Sequence, residues 1–137
     1  MIRKNTRYGL WVSVRKPYEE TVERTKQALA QEGFGVLTEI DVRATLKKKL
    51  DVEFRPYVIL GACNPTYAFQ ALNAERDIGL LLPCNVIVYA SDAAGATIVA
   101  ALDPVEAMKV AGNDNLRPIA EDVRAHLERA LSDIEAG

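Results

Sequence analysis

Residues 57–65 read Tyr-Val-Ile-Leu-Gly-Ala-Cys-Asn-Pro. The run Tyr57–Ala62 is short and nearly all apolar, and Pro56 bars any helix from entering it. That is the pattern of a strand buried on both faces or central in a sheet. Asn64-Pro65 is a helix start, with Asn at the N-cap and Pro at the first helical position. The spacing of Ala68, Ala71, Leu72 and Glu75 carries that helix to about Arg76, and Asp77-Ile78-Gly79 ends it. Leu80–Pro83 is then an apolar connector, and Val86–Ser91 a further strand.

The same reading extends outward. Tyr8–Val14 (YGLWVSV) is a first strand. A helix follows Pro17, with Tyr18, Val22, Thr25 and Leu29 on one face and Gly33 at its end. Phe34–Ile40 is a second strand. Asp41 caps a short helix whose stripe is Val42, Leu46 and Leu50. Beyond the 86–91 strand, Asp92–Gly95 turns into Ala96–Leu102, which makes a hairpin. Asp103-Pro104 opens a short helix closed by Gly112. A last helix buries Ile119, Val123, Leu127, Ala130 and Ile134. The hairpin rules out a purely parallel sheet. The expectation is an α+β domain spanning residues 1–137, with about five strands in a mainly antiparallel sheet packed on helices.

The chain has 137 residues, 49% apolar and 26% charged, a composition that supports a packed core rather than disorder. Its formal net charge of −2 argues against a nucleic-acid binder. No apolar run approaches the ~20 residues that span a bilayer, and the N-terminal stretch lacks the pattern of a signal peptide. Two cysteines are too few for a disulfide scaffold. These features set the expectation of a cytoplasmic protein with reduced thiols.

Leu60-Gly61-Ala62-Cys63-Asn64-Pro65 together with Ile78-Gly79-Leu80-Leu81-Leu82-Pro83-Cys84-Asn85-Val86 resembles the family called domain of unknown function 302. The likeness extends over roughly residues 6–134. The resemblance implies a small α+β domain with an antiparallel sheet, similar to the TATA-binding-protein-like or helix-grip architectures, and often a homodimer. It implies no reaction, so no catalytic residue is carried over from it.

Candidate site residues cluster at the two Cys-Asn steps. Cys63 precedes a helix N-terminus, where the helix dipole favours a thiolate. Cys84 opens the next strand, so antiparallel pairing brings the two thiols close and offers Cys84 as a resolving partner. The helix start at Asn64-Pro65 presents free N–H groups suited to a small anionic ligand. Asn85 adds a donor. Lys49 lies at the edge of the stripe through Val42 and is a candidate counter-ion, with Glu39 as an alternative partner for it. Two cysteines and one histidine are too few for a closed zinc site, so no metal is expected. No cofactor is indicated. His126 flanks the apolar face of the last helix with no partner nearby in sequence. Trp11, Tyr57 and Tyr67 are candidates to line a cavity between sheet and helices. The leading expectation is a small-ligand-binding or regulatory module with a site at Cys63, Asn64, Pro65, Cys84, Asn85 and Lys49. A thiol-dependent redox protein using Cys63 and Cys84 is the alternative, and a structural dimer subunit is the third.

Overall fold

The computed structural model describes residues 2–4 and 7–137. Strand β1 (Arg3–Lys4) is a two-residue edge, followed by β2 (Gly9–Val14), helix α1 (Tyr18–Gln31), β3 (Gly35–Asp41), α2 (Val42–Leu50) and β4 (Tyr57–Cys63). Then come α3 (Pro65–Ala74), a 3-10 helix (Arg76–Leu81), β5 (Cys84–Ala90), β6 (Thr97–Leu102), α4 (Pro104–Met108) and α5 (Arg117–Ala136). The strands form one sheet in the order β1-β2-β6-β5-β4-β3, with every neighbouring pair antiparallel. Five substantial strands on helices is the α+β arrangement expected from the sequence.

Alternation decides which face is covered. Leu10, Val12 and Val14 of β2, Val99 of β6, Val86 and Val88 of β5, and Val58 and Leu60 of β4 all point to one side and are buried. Helices α1 and α5 cover that side. Their apolar stripes, Val22, Ala28 and Leu29 on α1 and Val123, Leu127, Ala130, Leu131 and Ile134 on α5, join the same core. Thr21 and Thr25 are buried inside α1, and each hydroxyl donates to the carbonyl four residues earlier. Gly33 adopts φ +86°, which turns the chain out of α1 into β3. Asp103, fully buried, accepts from the Val105 amide at 3.0 Å and so starts α4.

Some elements depart from the sequence reading. The stripe of α2 exists, but no residue of α2 is buried. The segment expected as a helix end and connector is a 3-10 helix, pinned by Ile78 in a satellite core while Leu80 points outward. Asn64 precedes α3, but its side chain makes no capping bond; it donates to the Glu32 carbonyl at 3.3 Å and ties α3 to the end of α1. Pro65 does occupy the first turn of α3, where it loses no hydrogen bond.

Gly61 is a place where the sheet requires glycine. It pairs with Thr38 on one side and Asn85 on the other. A Cβ there would lie 2.2 Å from Thr38 Oγ1 and 3.0 Å from Pro83 Cγ. Gly61→Ala is therefore expected to cost about 1–3 kcal/mol through overpacking. Thr38→Ala in the same chain should recover a large part of that loss, a non-additivity readable by urea denaturation.

Candidate functional site

The two Cys-Asn steps meet as the sequence suggested, but not as one constellation. Ala62 is the register partner of Cys84, so Cys63 is one residue from the cross-strand neighbour of the other cysteine. Cys84 goes with Ala62 into the core, and Cys63, at the end of β4, borders the same space under α3. Cys84 is buried, Cys63 is half-buried, and both are free thiols. Burial pushes the Cys84 thiol up to about 11, with the Cys63 thiol adding to the effect. Asn85, next in the strand, is exposed and faces away from the core.

Beneath α3 lies a cavity of about 40 Å³, lined among others by Phe34, Cys63, Asn64, Tyr67, Cys84 and Met108. Its walls are almost wholly apolar side chains. That volume is well below the ~150 Å³ of an apolar cavity able to hold benzene, and far below the ~300–1,000 Å³ usual for ligand sites. Lys49 is exposed and takes no part in it. It sits on α2, which leaves β3 at Asp41 opposite Val58, whereas Cys63 pairs with Gly35 at the other end of the same hairpin. Glu39, the other candidate partner for Lys49, pairs with Lys26 of α1 at 2.9 Å.

At the rim of that cavity stands a polar cluster that sequence reasoning missed. His126 Nδ1 lies 2.8 Å from Glu32 Oε1, and Arg129 Nε donates to the same oxygen at 3.0 Å. Nδ1 is also 2.8 Å from the Arg129 guanidinium. Nδ1 cannot serve both groups. Holding a proton, it donates to Glu32 and has no lone pair left for arginine. The carboxylate therefore takes the Nδ1 proton, and Nε2 lies 3.4 Å from the Tyr67 hydroxyl. The hydrogen bond from His126, then that from Arg129, holds the Glu32 carboxyl below its ordinary value. The cluster links the end of α1, α3 and α5. Glu32 and His126 are 94 residues apart, so no local sequence signal could have paired them.

The larger concavity is on the uncovered face of the sheet. It measures about 570 Å³ and is lined by Tyr8, Trp11, Tyr57, Asn85, Ile87, Tyr89, Ile98 and Ala100, with Gly9, Ala101 and Leu102. The register explains its shape. Trp11 pairs with Ala100, which pairs with Ile87, so a methyl group forms the floor between large neighbours. Tyr57 pairs with Tyr89, and their rings stack 5.2 Å apart at 9°. Burial, then the neighbouring phenols of Tyr89 and Tyr8, raises the Tyr57 hydroxyl, so it is a neutral donor at pH 7. This separates Trp11 and Tyr57 from Tyr67: the first two line the open face, and Tyr67 lies under α3 on the helical side. The odd-numbered aromatic positions of β2, β4 and β5 run out of phase with the core positions, a signal present in each strand's alternation.

Among the described residues no group of three or more His, Cys, Asp or Glu is placed to hold a metal ion. No helix among them is long and apolar enough to cross a membrane.

Fold and sites together define an α+β domain with one helical face and one open, aromatic-lined face. The family model described as "Domain of unknown function DUF302" matches residues 11–134, and the chain belongs to that family. Among solved structures the chain is similar to an uncharacterized conserved DUF302 protein from Bacillus stearothermophilus. The two share 34% identity and a TM-score of 0.84, over 91% of this chain and 96% of that one. No curated protein matches the chain.

Thiol chemistry tests the geometry directly. With its thiol raised to about 11, Cys84 is about one part in a thousand thiolate at pH 8. Ellman's reagent on the native protein at pH 8 should titrate Cys63 first and leave Cys84 silent until denaturant is added. Rapid reaction of two thiols in the native state would show that Cys84 is not sealed in the core.

Proposed function

We propose that the chain is a small-ligand-binding module whose ligand lies in the groove on the open face of the sheet. The observation that supports this is the groove itself. Its 570 Å³ falls within the range of small-molecule sites, whereas the cavity at the Cys63–Pro65 step is too small for a metabolite. Of the residues singled out from the sequence, Trp11, Tyr57 and Asn85 belong to this groove, and the Asn85 amide adds a donor to its aromatic walls. Cys63, Asn64, Pro65 and Cys84 then serve to join α3 to the sheet. The redox alternative has less to stand on, because Cys84 is buried and its thiol is raised to about 11. Free thiols fit a reducing, cytoplasmic setting.

Trp11 is the chain's one tryptophan, and it lines the groove. Protein labelled with 5-fluorotryptophan gives one ¹⁹F resonance from inside the site. Titration with 2-naphthol should shift that resonance saturably. Ala100→Leu, which fills the floor, should weaken binding at least tenfold while leaving the fold intact by circular dichroism. A resonance unmoved by 2-naphthol and by charged naphthalenes of the same shape would overturn the reading.

A second reading rests on a different surface, the β3–α2 arm. Strand β3 is a free edge of the sheet, and Leu37 on it is 66% exposed. Leu50, also 66% exposed, lies at the end of α2, and Val52 and Phe54 follow it, exposed as well. An apolar helix stripe with nothing buried calls for a cover. We infer that a second copy of the chain supplies it, which makes the module a homodimer. Light scattering should give twice the chain mass at micromolar concentration, and Leu50→Lys should give the single mass. A wild-type monomer would remove this reading without touching the groove.

A further inference from the structure

We propose that the groove selects a planar aromatic anion, an aromatic ring system carrying a carboxylate, sulfonate or phosphate. This rests on the groove being the ligand site and adds the class of ligand it takes.

Three observations carry the inference. The first is Arg3. It pairs with Trp11 across β1–β2, so both side chains are on the same face. Its guanidinium carbon lies 5.0 Å from the centroid of the Trp11 ring, which places a fixed positive charge against one wall of the groove. The second is the absence of a counter-charge. Among the described residues no carboxylate lines the groove or pairs with Arg3. Arg55, which does not line the groove, is paired with Asp92 at 2.7 Å and bonded to the Ala90 carbonyl. Arg3 therefore gives the groove a positive rim that no carboxylate among the described residues offsets. The third is the shape and character of the walls. Trp11 on one side and the stacked Tyr57–Tyr89 pair on the other are flat apolar surfaces, with a methyl floor at Ala100 between them. Flat walls favour a planar ring system over a branched aliphatic chain. Phenol hydroxyls and the Asn85 amide can donate to an anion.

The aromatic walls alone would equally suit a quaternary ammonium ion, the usual guest of an aromatic cage. Arg3 decides between the two. A cation entering the groove meets a guanidinium that no carboxylate among the described residues pairs, whereas an anion gains it as a partner.

Three naphthalenes of nearly one shape provide the test: naphthalene-2-sulfonate, 2-naphthol and (2-naphthyl)trimethylammonium. Each is titrated into the full chain and followed by the fluorotryptophan resonance at Trp11, with calorimetry alongside. The sulfonate should bind at least tenfold tighter than 2-naphthol, and the ammonium weaker than either. The preference for the sulfonate should shrink as salt rises. Arg3→Gln should bring the sulfonate and naphthol affinities within about twofold, and Arg55→Gln should leave their ratio unchanged. Arg3 is exposed at an edge strand, so its replacement leaves the core alone. If 2-naphthol binds but the sulfonate binds no tighter, or if Arg3→Gln leaves the ratio as it was, the anion inference is wrong and the groove reading stands. If none of the three shifts the resonance, the groove reading fails and this inference with it.

Discussion

An antiparallel sheet has two faces, and this chain carries long helices for only one of them. Helices α1 and α5 bury the side chains of a single alternation phase, from Val12 and Val99 to Val88 and Leu60. That burial is the main apolar gain of the fold, and it commits every strand to one register. Slipping any strand by one residue would exchange Val86 and Val88 for Asn85, Ile87 and Tyr89. The second face is thereby determined as well. Its residues are whatever the opposite phase holds, and that phase holds Trp11, Tyr57 and Tyr89. Aromatic side chains at such positions are costly to leave in water. Small residues between them, Gly9 and Ala100, shape them into a concavity instead of a flat apolar sheet.

The parts of the fold legible in the sequence are those governed by local chemistry. Pro17 and Gly33 bracket α1, Asn64-Pro65 opens α3, and Asp103-Pro104 opens α4, because backbone restrictions act within a few residues. The stripes of α1 and α5 are legible for the same reason: helical period is a local property. The run Tyr57–Ala62 is apolar at both phases, a pattern that fits cover on both faces or a central place in the sheet; β4 lies between β5 and β3, and its Tyr57 faces the open side. One local signal nonetheless misled. Asn64 has the residue type of a cap, but the carbonyl of Glu32, arriving from the end of α1, takes its amide instead. The stripe of α2 is legible too, but whether a stripe is buried depends on what lies against it, and periodicity does not contain that.

The site was less legible than the fold, and the reason is sequence distance. Cys63 and Cys84 stood out because two polar steps interrupt apolar runs, and the antiparallel pairing did bring them into adjacent register. Burial then distinguishes them, Cys84 inside the core and Cys63 half-buried, which follows only once the packing is known. Tyr67, His126 and Glu32 come from three elements, and nothing near His126 in the chain announces a carboxylate. Lys49 illustrates the opposite error. Its place beside an apolar stripe suggested a pocket, but the hairpin geometry puts α2 and Cys63 at opposite ends of β3 and β4.

Two concavities on opposite sides of one sheet thus have different physical characters. The space under α3 is closed by apolar packing, and its polar rim is already satisfied, His126 by Glu32 and Tyr67 and Glu32 by Arg129. A ligand entering there would have to break those bonds and spread α3 from the sheet before it gained any contact. The groove on the open face demands neither. Its aromatic walls are held in place by the strand register, and the guanidinium of Arg3 rests on Trp11 with no carboxylate among the described residues paired to it. Binding energy at such a surface is not spent on rearrangement, because the covered face has already positioned the open one.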